Sequence, residues 1–164
     1  MTFSNLVKEK RVNAAQLLIS HSLVKTHKAL GIVKISDKKV LKKLLKGLSE
    51  LKTNFIVVTT ESFDTDANNI SFVSDTSFLD AGADFVISDD AMDCISGCLE
   101  KAITPITITG NPVLSQFDPM KNEGNAYLYH NADEWSIFAT LIRYLENYKF
   151  TFDNKNLVKN IFES

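Results

Sequence analysis

Cysteine is nearly absent from this sequence: Cys94 and Cys98 are the only two. They stand four apart in a segment that reads as helix, so both thiols share a face, but a zinc site needs two further ligands. His21, His27 and His130 are scattered and show no ligand spacing with them, so no metal and no cofactor is expected. The thiols read as small buried residues in a reducing compartment. A basic excess is also lacking. The net charge is -2 and the pI about 5.9, which leaves no electrostatic footprint for nucleic acid. No apolar run approaches the ~18 residues of a membrane helix, and the first residues show no apolar core of a signal peptide. A soluble, cytoplasmic chain without membrane or nucleic-acid partners is expected. Glycine is scarce, with six residues, and neither a G-x-G-x-x-G nor a Walker-type loop is present, which speaks against a dinucleotide or P-loop site. No Ser/His/Asp or Cys/His arrangement can be assembled from spacing.

What the sequence does contain is alternation. Apolar runs of strand length at 29–35, 54–60, 70–75, 84–88, 105–109 and 125–130 are separated by amphipathic stretches at 38–51, 91–103 and 133–148. A helix over 5–23 precedes them, a brief helical turn is expected over 76–82, and a tail helix starts at Asp153. This pattern predicts a single α/β domain over residues 1–164: a Rossmann-like three-layer sandwich with a mainly parallel sheet of about six strands. Ser36 or Asp37 can cap the second helix. Its lysines, Lys39, Lys42, Lys43 and Lys46, fall mostly opposite its leucines and read as a solvated face. Trp135, Phe138 and Tyr144 on the 133–148 helix are expected in the core.

In open parallel sheets ligands bind beyond the carboxyl ends of the strands, where helix N-termini present unpaired N–H groups. Those ends carry Ser36-Asp37-Lys38, Thr59-Thr60-Glu61, Asp89-Asp90 and Thr109-Gly110-Asn111. A lysine at the first and a Gly-containing turn at the last can hold a diphosphate by charge and backbone N–H donation.

The order of several segments resembles a known family. The run from Ala81 through Gly82, Ala83, Asp84 and Phe85 to Ser88 is similar to the "AGADF" strand of bacterial glycogen/starch synthases, which are retaining glycosyltransferases of the GT-B architecture. It is followed by Leu99-Glu100-Lys101-Ala102-Ile103 and Thr104-Pro105-Ile106, then by Thr109-Gly110 where the family has a Thr-Gly-Gly turn. Gly124-Asn125-Ala126-Tyr127-Leu128-Tyr129 resembles the family's "GxGFLF" strand, and Asn156-Leu157-Val158-Lys159-Asn160 its closing helix. The resemblance implies the C-terminal, nucleotide-binding half of such an enzyme. It implies a donor site for ADP-glucose or UDP-glucose at Lys34, Lys38, Asp93, Glu100, Thr109 and Gly110, and glucosyl transfer to an α-1,4-glucan. Lys38 matches the family lysine, but Val33 stands at the arginine position, with Lys34 beside it. Glu100 matches the second acid of a pair spaced by eight; the first position is Met92, with Asp93 one place off.

GT-B catalysis needs a second domain across the cleft, and none fits in this chain. Transfer would therefore require a separately encoded N-terminal half or self-association, because half a cleft neither excludes water nor orients an acceptor. The alternative is a catalytically inactive relic retained as a structural or protein-interaction module. A receiver-like signalling domain would account for Asp89-Asp90 but lacks paired acids at the end of the first strand. Each site residue also has a plain structural reading: Lys38 as a solvated helix-start lysine, Glu100 as a surface ion pair, and Asp93 as an acid in a helix's first turn.

Overall fold

Short runs of Val, Ile and Phe that stay apolar on both faces suit strands covered by helices on both sides, and the sheet is built from them. The computed structural model describes residues 1–75, 82–93 and 95–164. Its elements run α1 (Phe3–Ser20), β1 (Leu30–Lys34), α2 (Lys38–Leu48), β2 (Asn54–Val58), β3 (Ile70–Val73), β4 (Phe85–Ser88), α3 (Ile95–Glu100), β5 (Thr104–Ile108), β6 (Tyr127–Tyr129), α4 (Glu134–Tyr148) and α5 (Thr151–Phe162). The expected turn over 76–82 lies almost wholly outside the described residues, as do Ala81 and Cys94. Cys98 is buried, as a small apolar residue would be.

The six strands form one sheet in the order β3-β2-β1-β4-β5-β6, and every neighbouring pair is parallel. This is an α/β fold with a Rossmann-like three-layer arrangement. Because residues alternate across a strand, β1 sends Val33 to one face and Leu30 and Ile32 to the other. The first face packs Val33, Phe55, Val57, Phe85 and Ile87 against leucines of α2 and against Leu141, Tyr144 and Leu157 of α4 and α5. The second packs Leu30, Ile32, Ile56 and Val86 against Leu17 and Leu18 of α1 and Cys98 of α3. At Gly31 a Cβ would run into the Phe85 ring. Phe85 in turn lies 4.9 Å from the Tyr144 ring, centroid to centroid.

The helices start where side chains can cap them. Asp37 Oδ1 accepts from Lys39 N at 3.0 Å and Val40 N at 3.2 Å, and Asp133 Oδ1 from Ser136 N at 2.7 Å, satisfying N–H groups that a helix cannot bond itself. α2 turns Leu41, Leu44, Leu45 and Leu48 inward and leaves its lysines outside, as its periodicity predicts.

Two expectations need correction. Trp135 is 77 % exposed. The buried stripe of α4 runs Ile137, Leu141, Tyr144, and Trp135, two residues before Ile137, lies about 200° around the helix from it. Phe138 is half-buried and packs against the main core beside Gly47, and Tyr144 lies fully inside it. The helix expected over 91–103 is shorter, Ile95–Glu100, with a turn at 91–93 where Asp90 Oδ1 accepts from Met92 N at 2.9 Å. No helix among the described residues is long and apolar enough to cross a membrane.

Candidate functional site

A strand order of 3-2-1-4-5-6 reverses direction between β1 and β4, and the crevice outside the carboxyl ends of those strands is the binding position of such sheets. Lys34 and Ser88 are register partners at that edge. The chain leaves β1 through Ile35, Ser36 and Asp37 into α2, and leaves β4 through Asp89 and Asp90. Lys34, Lys38, Asp93, Thr109 and Gly110 all lie on this carboxyl side, in or just beyond the strands that form it. Glu100 does not join them. It ends α3 where the chain turns, with Ala102 at φ 50°, into the first residue of β5. That is the amino edge of the sheet, a strand's length away.

The loop between β1 and α2 gathers backbone N–H donors at a helix N-terminus, as an anion site would, but carboxylates of the chain take them. Asp89 Oδ2 accepts from Ser36 N at 2.8 Å, from the Ser36 hydroxyl at 2.7 Å and from Asp37 N at 3.3 Å. With Asp37 holding Lys39 N and Val40 N, four backbone donors at the head of α2 are directed to carboxylates of this protein. Lys38 Nζ pairs with Glu61 Oε1 at 2.7 Å, and both side chains are solvent-exposed. Lys34 is half-buried and forms no ion pair with a described carboxylate.

The far wall is the turn after β5. Thr109 N donates to Tyr129 O at 2.9 Å, extending the β5–β6 ladder. Gly110 has φ 132°, a conformation in which a side chain is strained, and a Cβ there would meet only Ala91 Cβ at 3.9 Å. The ground above Gly110 is therefore open. Asn111 ties this turn to the β4 side, with Nδ2 donating to Ala91 O at 3.0 Å and Oδ1 accepting from Val113 N at 3.0 Å. Beneath them the buried Tyr129 hydroxyl donates to Ser88 O at 2.6 Å. Burial raises its pKa well above the usual phenol value, and the nearby Asp89 carboxylate adds to the rise.

Asp89 has a counterpart at the other end of the same two strands. Asp84, just before β4, accepts from Leu30 N at 2.8 Å through Oδ2, at the start of β1. The β1–β4 junction is thus closed at both ends by an aspartate flanking β4, one taking the N–H of the first residue of β1 and the other an N–H just past its end. The sequence marks Asp89 and Asp90 as acids at a strand end, but no local signal names Ser36 as the partner. Among the described residues no group of three or more His, Cys, Asp or Glu side chains is placed to hold a metal ion. Compared with known proteins, the chain matches no protein-family model and no curated protein.

Proposed function

We propose that this chain is a glycosyltransferase-type domain, similar to the nucleotide-binding half of glycogen/starch synthases, that serves as a catalytically inactive structural or protein-interaction module. The observation that carries this reading is the Asp89 carboxylate on the N–H groups of Ser36 and Asp37. A donor diphosphate would need those same donors and would stand beside a fixed negative charge. Two like charges 4 Å apart repel by about 4 kcal/mol near a protein surface, against a salt-screened gain from exposed lysines. The engagement of Lys38 with Glu61 and the position of Glu100 at the opposite edge support the same conclusion.

A second reading is favoured by the unpaired Lys34 and the open ground above Gly110: the crevice takes ADP-glucose or UDP-glucose, with Lys34 and Lys38 neutralising phosphate, and a separate N-terminal half completes the transferase. Isothermal titration of the full chain with ADP, UDP and ADP-glucose at low salt, beside Lys38→Ala and Asp89→Ala, separates the two. No heat from the native chain at millimolar ligand is expected, with weak binding appearing in Asp89→Ala, where the donors are freed and the charge removed. Binding by the native chain that Lys38→Ala weakens would overturn the module reading in favour of the donor site.

A further inference from the structure

Cations also gather at the opposite edge of the sheet, away from the crevice. There a cleft of about 520 Å³ opens between α1 and α5, within the range of small-ligand sites. α1 presents Lys8 and Arg11 to it, three residues apart and so on one helix face; α5 presents Thr151 and Lys155, four apart and likewise on one face. Phe3 and Tyr148 contribute aromatic walls. None of Lys8, Arg11 and Lys155 forms an ion pair with a described carboxylate. In a chain of net charge -2, three unmatched cations around one concavity are a local reversal of sign.

The cleft also has a built floor. Lys10 Nζ donates to Ala102 O at 2.6 Å and lies close to Asp84, whose Oδ2 is fixed on Leu30 N. This pair holds its own charges largely in balance, so Lys8, Arg11 and Lys155 set the field that a ligand meets. At the mouth, Thr151 is the first residue of α5, whose N-cap, Phe150, supplies no side-chain acceptor to the helix. Asp153 in that first turn offsets the positive end of the helix dipole, so the three cations carry the field.

We propose that this basal cleft binds a phosphate monoester. A planar guanidinium and two mobile ammonium groups match the several acceptor oxygens of a dianion better than a single carboxylate. The aromatic walls accommodate the organic body of the ligand. The chemistry is common to a free organic phosphate and a phosphomonoester lipid headgroup, and the cleft is open to solvent with Lys8, Arg11 and Lys155 exposed at its rim, so titration with both separates the two sources.

The test is titration of the full chain with inorganic phosphate, AMP and adenosine, and with vesicles of phosphatidylcholine containing phosphatidic acid. Arg11→Gln/Lys155→Gln is compared with Lys42→Gln/Lys46→Gln, which removes the same charge from α2; circular dichroism checks that each variant is folded. AMP is expected to bind where adenosine does not, and to bind about tenfold or more weakly in Arg11→Gln/Lys155→Gln. The α2 variant should be unchanged. Binding only to vesicles, lost in the same variant, would support the site and assign it to a headgroup. Equal weakening in both double variants, weakening by Lys38→Ala alone, or no binding of any probe at millimolar concentration would overturn the proposal.

Discussion

Asp89 and Ser36, 53 residues apart in the chain, meet so that one carboxylate oxygen takes both the backbone N–H at 2.8 Å and the hydroxyl hydrogen at 2.7 Å. Truncating the acid frees the Ser36 and Asp37 N–H groups at the head of α2. Asp89→Ala should lose roughly 1–2 kcal/mol of stability in urea unfolding at neutral pH. Asp89→Asn should lose less, because its amide oxygen still accepts. Equal stability of Asp89→Ala and the native chain would show that water serves this loop as well as the carboxylate does.

Asp84 titrates in an unusual range. Burial pushes its pKa up to about 6 from the model-peptide value of 3.8, with Lys10 and the Leu30 N–H working in the other direction. The folded state then binds more protons than the unfolded state between about pH 4 and 6, so this group's contribution to stability is full in acid and falls as pH rises through the folded value. Over that window the difference is up to roughly 3 kcal/mol. Asp84→Asn should abolish this component. The native-minus-variant difference in unfolding free energy, followed from pH 4 to 7, is expected to decline with pH; a flat difference would refute the shift.

Two glycines should respond in opposite directions to alanine. At Gly124, φ is 92° and a Cβ would run into the Gln116 carbonyl, with Phe117 Cα 2.7 Å away. Gly124→Ala should cost more than about 2 kcal/mol, from strain and the displaced Gln116–Phe117 backbone. At Gly97, inside α3, nothing lies within 4 Å of the added carbon, and Gly97→Ala should gain about 0.5–1 kcal/mol. Thermal melts of the pair suffice to check both signs.

Neighbouring residues at the head of α2 should separate a cap from an ion pair. Asp37→Ala removes the acceptor for Lys39 N and Val40 N and should cost about 1 kcal/mol. Lys38→Ala removes an exposed pair with Glu61 and should change stability by less than about 0.5 kcal/mol. Chemical denaturation of both variants provides the measurement, and a larger loss for Lys38→Ala would mean that the ion pair is structural.

The elements were legible because each strand is a short apolar run. The runs starting at Ala29, Asn54, Ile70, Asp84, Pro105 and Asn125 each overlap a strand of the sheet, with ends that differ by a few residues; β5 begins one residue before its run, at Thr104. The last one shrinks to Tyr127–Tyr129 because the backbone N–H groups of Asn125 and Ala126 go to Ser115 O, and Ala126 O takes Phe117 N, instead of bonding to β5. The site was less legible. Lys38, Asp93, Thr109 and Gly110 follow strand ends and so fall on the carboxyl side, which the chain order alone predicts. That Asp89 reaches Ser36, or that Lys38 turns to Glu61, depends on strands placed side by side from distant parts of the chain. Trp135 was misplaced for a different reason: its size favours burial, while the phase set by Ile137 and Leu141 turns it outward.

The sheet order divides the chain at one line. The pairs β1–β2, β2–β3, β4–β5 and β5–β6 join consecutive strands, and only β1–β4 joins strands that are not neighbours in sequence. Each set of three strands can therefore assemble from local chain, whereas Gly31 must wait for Phe85 to arrive across a long closed loop. Closing that junction is the step with the highest entropic barrier, and the two aspartates at its ends act on that step. Perturbing Asp84 or Asp89 should then slow refolding, while perturbing the outer edge at β6 should mainly hasten unfolding.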